Sequence, residues 1–113
     1  MRLRSEIWVQ AYMRRIQAAG AAGYVMRRGD PHAGAILICV SSPTGTVLFT
    51  PAPNPGLDQT DRRWRRRVAQ ALQATPDIAA RLEREASIDP DIWVLEIEDR
   101  DGRHFLDDEL VDG

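Results

Sequence analysis

Six consecutive apolar residues, Ala35-Ile36-Leu37-Ile38-Cys39-Val40, stand in a chain of 113 residues. The run is short and rich in Ile and Val, and residues of both parities are apolar, so it reads as a strand buried on both faces. A strand of that kind lies inside a sheet. Ser42-Pro43-Thr44-Gly45 follows with the residue order of a type I turn, and Thr46 to Thr50 returns as the next strand.

The flanking patterns supply the other elements. Ser5 can cap a helix running to about Ala19, with Gly20 as its stop. Ile7, Trp8, Ala11, Tyr12, Ile16 and Ala19 fall on one face of it at helical spacing. Tyr24 to Arg28 reads as a strand, and Gly29 to Gly34 as a loop whose glycines suggest special backbone angles. The prolines at 51, 53 and 55 mark an irregular stretch. Residues 61–73 fit either a helix or a strand. A second helix starts near Thr75-Pro76-Asp77, carries Ile78, Leu82 and Ala86 at a spacing of four, and ends before Pro90. Ile92 to Glu98 is a strand with Trp93, Leu95 and Ile97 on one face and Ile92, Val94, Glu96 and Glu98 on the other. Asp101-Gly102 signals a tight hairpin, after which Arg103 to Leu106 returns. The acidic tail, 107–113, is expected to fray.

The fold expected is α+β, a single domain over 1–113. It has a mainly antiparallel sheet of five or six strands, an N-terminal helix and a second helix before the penultimate strand. The chain is long enough to bury one core without staples. Cys39 is the sole cysteine, so no internal disulfide forms, and its apolar run makes it a buried, inert thiol. No apolar stretch is long enough to span a bilayer, and no apolar signal region follows Met1-Arg2-Leu3-Arg4. The expected location is therefore cytoplasmic.

Charge is distributed unevenly. All fifteen basic residues are arginine. Residues 1–67 carry a net +7 and residues 68–113 a net −9, within a total of −2. The simple reading is mutual neutralisation across one fold, although such asymmetry also suggests partners.

Three stretches carry a resemblance to a known family. They are Glu6-x-Trp8-Val9-x-Ala11, Arg28-Gly29-Asp30-x-x-Ala33-Gly34-Ala35, and Asp89-Pro90-Asp91-x-Trp93-Val94-x-Glu96-x-Glu98-Asp99. Together they resemble a bacterial family, domain-of-unknown-function family 1491, over nearly the whole chain. The stretch from Pro51 to Ala74 matches poorly apart from Arg63-Trp64. The resemblance implies a compact α+β domain and assigns no activity; it tips residues 62–68 towards a strand.

Candidate chemistry is sparse. Asp89, Asp91, Glu96, Glu98, Asp99 and Asp101 form the densest acid cluster, and hard cations want several oxygens at once. Turn formation and pairing with arginines explain the same acids more simply. Asp30 and His32 share a loop where a carboxylate could support an imidazole, yet no nucleophile accompanies them. His32, His104 and Cys39 are too scattered for zinc. No metal or other cofactor is expected. Trp8 and Trp93 fall on apolar faces and read as core.

The strongest signal is Arg62, Arg63, Trp64, Arg65, Arg66 and Arg67. Arginines can hold phosphates and a tryptophan can stack on bases. The same residues can guard a sheet edge or meet an acidic surface, including that of a second copy of the chain. The leading functional reading is a non-catalytic protein-interaction module whose partner is another protein or, by self-association, a second copy of the chain. The alternative is single-stranded nucleic-acid or RNA binding through Arg62–Arg67, and a small enzyme comes third.

Overall fold

A computed structural model describes residues 3–52, 62–67, 74–106 and 110–111. Helix α1 spans Ser5–Ala18, and strands β1, β2, β3 and β4 span Ala22–Arg27, Ile36–Ser42, Gly45–Pro51 and Trp64–Arg67. Helix α2 (Ala74–Ile88), β5 (Trp93–Glu98) and the two-residue β6 (Leu110–Val111) complete the order. One sheet holds all the described strands in the order β1-β5-β2-β3-β4-β6. Its β1–β5, β2–β3 and β3–β4 pairings are antiparallel, whereas β2–β5 and β4–β6 are parallel. The sheet is thus mainly antiparallel, as the sequence implies, with a parallel pair at its centre.

The helices lie on opposite faces, which is what a strand apolar on both sides requires. Trp8, Val9, Tyr12 and Ile16 of α1 join Ile36, Ile38, Trp93, Leu95 and Ile97 in one cluster. Ile78 of α2 joins Leu37, Cys39, Leu48, Ile92 and Val94 in the other. The alternation along β2 and β5 is therefore a division between two cores. Cys39 is buried, and burial, with Glu96 adding a smaller repulsion, pushes its thiol up to about 12.

Several expectations need correction. Ser5 does not cap α1. It is the first helical residue and fully buried, and its hydroxyl donates to the Gly34 carbonyl at 2.6 Å. The backbone N–H groups of Ser5 and Glu6 donate instead to the carbonyls of His32 and Pro31, so a loop caps the helix. Ala11 and Ala19, placed on the apolar face by spacing, are exposed. Arg103 to Leu106 does not return as a strand. Both edges of β5 are already occupied, by β1 and β2, so no hairpin partner can add there. Within the tail, Leu110 and Val111 pair with Trp64 and Arg65; the rest of the tail lies outside the described residues. Of the ambiguous stretch, Trp64–Arg67 is a strand, while 61 and 68–73 lie outside the described residues.

Candidate functional site

The acid-and-glycine motifs converge at one end of the sheet, and what they build there is a joint. Asp30 N–H donates to the Asp91 carbonyl at 2.9 Å, and Trp93 Nε1 donates to the Asp30 carbonyl at 2.8 Å. A Cβ added at Gly29 or Gly34 would collide with the Asp91 carbonyl oxygen. These glycines supply room for two backbones to touch. They do not supply the unusual angles expected, since neither has a positive φ. Arg28 bridges to Glu6 on α1 and covers the Trp93 ring, and Arg27 Nη2 donates to the Pro90 carbonyl.

This geometry occupies the carboxylates of Asp30 and Asp89. The Asp30 carboxylate accepts the N–H groups of His32 and Ala33. It serves its own turn, and the His32 side chain sits exposed. The Asp89 carboxylate accepts the Asp91 N–H. Asp99 and Asp101 lie at the opposite end of β5. Glu96 is half-buried and Glu98 exposed, beside Tyr24 and Ala22 of β1. The described ion pairs include neither, contrary to the expected pairing with arginines. Among the described residues, no group of three or more His, Cys, Asp or Glu is placed to hold a metal ion.

The arginine run is divided by the alternation of β4. Trp64 is 1% exposed, lies tilted against the Trp8 ring with centroids 4.5 Å apart, and donates its Nε1–H to the Ile36 carbonyl. It has no open face for a base. Arg62 is buried and donates to the Leu3 carbonyl and Ser5 Oγ, tying the start of β4 to the start of α1. Arg63 and Arg65 are half-buried, and Arg65 Nε is enclosed without a hydrogen-bond acceptor. Arg67 Nε donates to Thr50 Oγ1, and Arg66 lies over the Phe49 ring. Arg66 and Arg67 alone in this strand are exposed.

A surface that sequence reasoning passed over lies at the far edge. Among the described residues, strand β1 pairs only with β5. It carries Tyr24, Val25 and Met26, exposed by 48, 46 and 61%. Successive large apolar side chains open to solvent on an edge strand are unusual, since such an edge can pair with another chain. A bulge at Met26 shifts the register, so that Val25 faces Leu95 and Arg27 faces Val94. Met26 also walls a hollow of about 200 Å³ with Ile78, Ala79 and Leu82 of α2 over Cys39 and Val94. The apolar surface therefore continues from the edge onto the α2 face. The sequence does hold the signal, three large apolar residues in a strand with no Lys or Pro. It does not show that this strand is an edge.

Comparison with known proteins places the chain. Residues 3–107 match the family described as "Protein of unknown function (DUF1491)", and the chain belongs to it. A crystal structure of a DUF1491 family protein from Caulobacter crescentus is 43% identical, with a TM-score of 0.81, over 98% of this chain and 99% of that one. An NMR structure of a DUF1491 family protein from the same organism gives 43% and 0.82, over 98% of each chain. A solution structure from A. tumefaciens gives 39% and 0.76, over 88% of this chain and 87% of that one. No curated protein matches. No described helix is long and apolar enough to cross a membrane.

Proposed function

For this member of the DUF1491 family, we propose a non-catalytic protein-interaction module whose docking edge is β1 and whose partner is a second copy of the chain. The observation that carries this reading is the exposure of Tyr24, Val25 and Met26 on a strand whose outer side has no pairing partner among the described residues. An added strand satisfies backbone groups along that edge while covering the apolar side chains. Two-fold symmetry makes the pairing antiparallel and self-complementary. Arg27 and Arg28 close one end of β1, and Glu98 lies beside its other end at Ala22. An antiparallel pair sets the basic end of each copy against the acidic end of its partner. The bulge at Met26 limits pairing to the regular stretch from Ala22 to Val25.

The nucleic-acid alternative loses its stacking face with Trp64 buried and loses Arg62 to internal bonds. Arg66 and Arg67 remain, too few to anchor a strand without help.

Sedimentation of the parent over a range of concentrations, beside the Val25→Lys variant, tests the reading. The parent is expected to reach twice the monomer mass, and V25K to stay monomeric with an unchanged circular dichroism spectrum. A parent that remains monomeric throughout, or a V25K variant that still dimerises, rejects the β1 edge. Salt-sensitive RNA binding by the parent would favour the alternative.

A further inference from the structure

We propose a second site, separate from β1: the recess on the α1 face at the β2–β3 hairpin end binds a small aromatic monocarboxylate. Helix α1 crosses its face from Trp64, which Trp8 touches, to Gly23, on which Ile16 and Met13 press. The hairpin corner is left uncovered by the helix. What remains is a recess of about 390 Å³ with a floor of Val40, Val47 and Phe49 and a rim that includes Arg66, Asp101 and His104. An apolar floor with a few convergent polar groups is the usual form of a small-molecule site, and roughly 300 Å³ or more is the usual size.

Two features show that this recess is built. First, its wall is tied down from several sides. The Asp99 carboxylate, itself buried, accepts the N–H groups of Asp101 and Arg103 and pairs with the Arg103 guanidinium at 2.7 Å. Arg103 reaches on to the Ala19 carbonyl, and Tyr12 donates its hydroxyl to the His104 carbonyl. Second, Phe105 has a left-handed backbone, φ 61°, which a bulky residue seldom adopts. The Arg103 guanidinium lies over the Phe105 ring, and Leu106 N–H donates to His104 Nδ1 at 2.9 Å. Strain of this kind persists where the surroundings over-determine it, and it gathers at binding sites. Here it holds the His104 ring against Phe49, centroids 5.1 Å apart.

Arg66 sets the ligand's charge. It is exposed, lies 5.7 Å from the centroid of the same Phe49 ring, and forms none of the described ion pairs. A guanidinium beside an apolar floor matches a planar carboxylate in bidentate fashion, with a flat apolar body resting on Val47. Asp101 sets the limit. An exposed carboxylate on the same rim opposes a dianion or a polyanion more than a single carboxylate. The site therefore selects a monocarboxylate over a phosphate.

The test is a titration of the isotope-labelled full chain, followed by amide NMR, with benzoate in one arm and inorganic phosphate in the other. Benzoate is expected to give saturable shifts at Val47, Phe49, Gly102 and His104, and phosphate none. Arg66→Gln, on an exposed side chain, should leave the spectrum folded and weaken benzoate roughly tenfold or more, as for loss of a charge-assisted contact. V25K should bind benzoate like the parent, which keeps this site distinct from the β1 edge. Absence of saturable shifts, shifts located elsewhere, equal affinity in R66Q, or phosphate binding as tightly as benzoate would each overturn the proposal.

Discussion

Trp93 shows how a single residue can be functional in appearance and structural in fact. Its ring is 1% exposed, its Nε1–H is committed to the Asp30 carbonyl, and Arg28 covers its face. Its place beside Leu95 and Ile97 on one strand face was legible by alternation alone. Trp93→Ala should cost about 3–5 kcal/mol, as for other fully buried large aromatics, and denaturant melts would measure it; a cost below about 1 kcal/mol would mean that the ring is not core. Asp99 is the second residue whose role is specific. Its hydrogen bonds from Arg103 and nearby backbone N–H groups hold its carboxyl at about 2, against the usual carboxylate range. A depressed folded value means that the bound proton favours the unfolded chain. The stabilisation is therefore complete above about pH 4, where an unfolded Asp is ionised, and is lost as pH falls through about 2. Acid unfolding of the parent should show that loss. Asp99→Asn should be less stable at neutral pH and show a shallower decline between pH 4 and 2; an unchanged decline would assign it to other acids.

At the scale of elements, what the sequence made legible depended on where each side chain's partners lie. Strands β2, β3 and β5, helix α2 and the extent of α1 followed from periodicity, because burial imposes it. The start of α1 did not, because Ser5 is held by the Gly34 carbonyl and by Arg62, remote in sequence. The segment after Gly102 looked like a returning strand because hairpin signals are local. Whether β5 has an open edge is a property of the whole sheet. The arginine run does not form one surface, for the same reason. Six residues contiguous in sequence are dealt to the core, to two sheet faces and to the start of α1, so their linear density is not a surface density. The joint between Asp30 and Asp91 converts the most recognisable motifs into scaffold, with glycines chosen for contact.

The sheet of the whole molecule has two edges that differ in character. Among the described residues, one side of the sheet ends in the two-residue β6, and the other ends in β1 with Tyr24, Val25 and Met26 exposed. The charge division that composition shows recurs locally there, basic at one end of β1 and acidic at the other. We propose β1 as the docking edge for a second copy. The measurement that tests it most directly is hydrogen exchange of the backbone amides from Ala22 to Val25 as a function of protein concentration. The account predicts that protection of these amides rises with concentration while that of buried β2 amides stays constant, and that V25K abolishes the rise. Exchange across residues 22–25 that does not change with concentration, in a sample whose mass shows dimer, would contradict it.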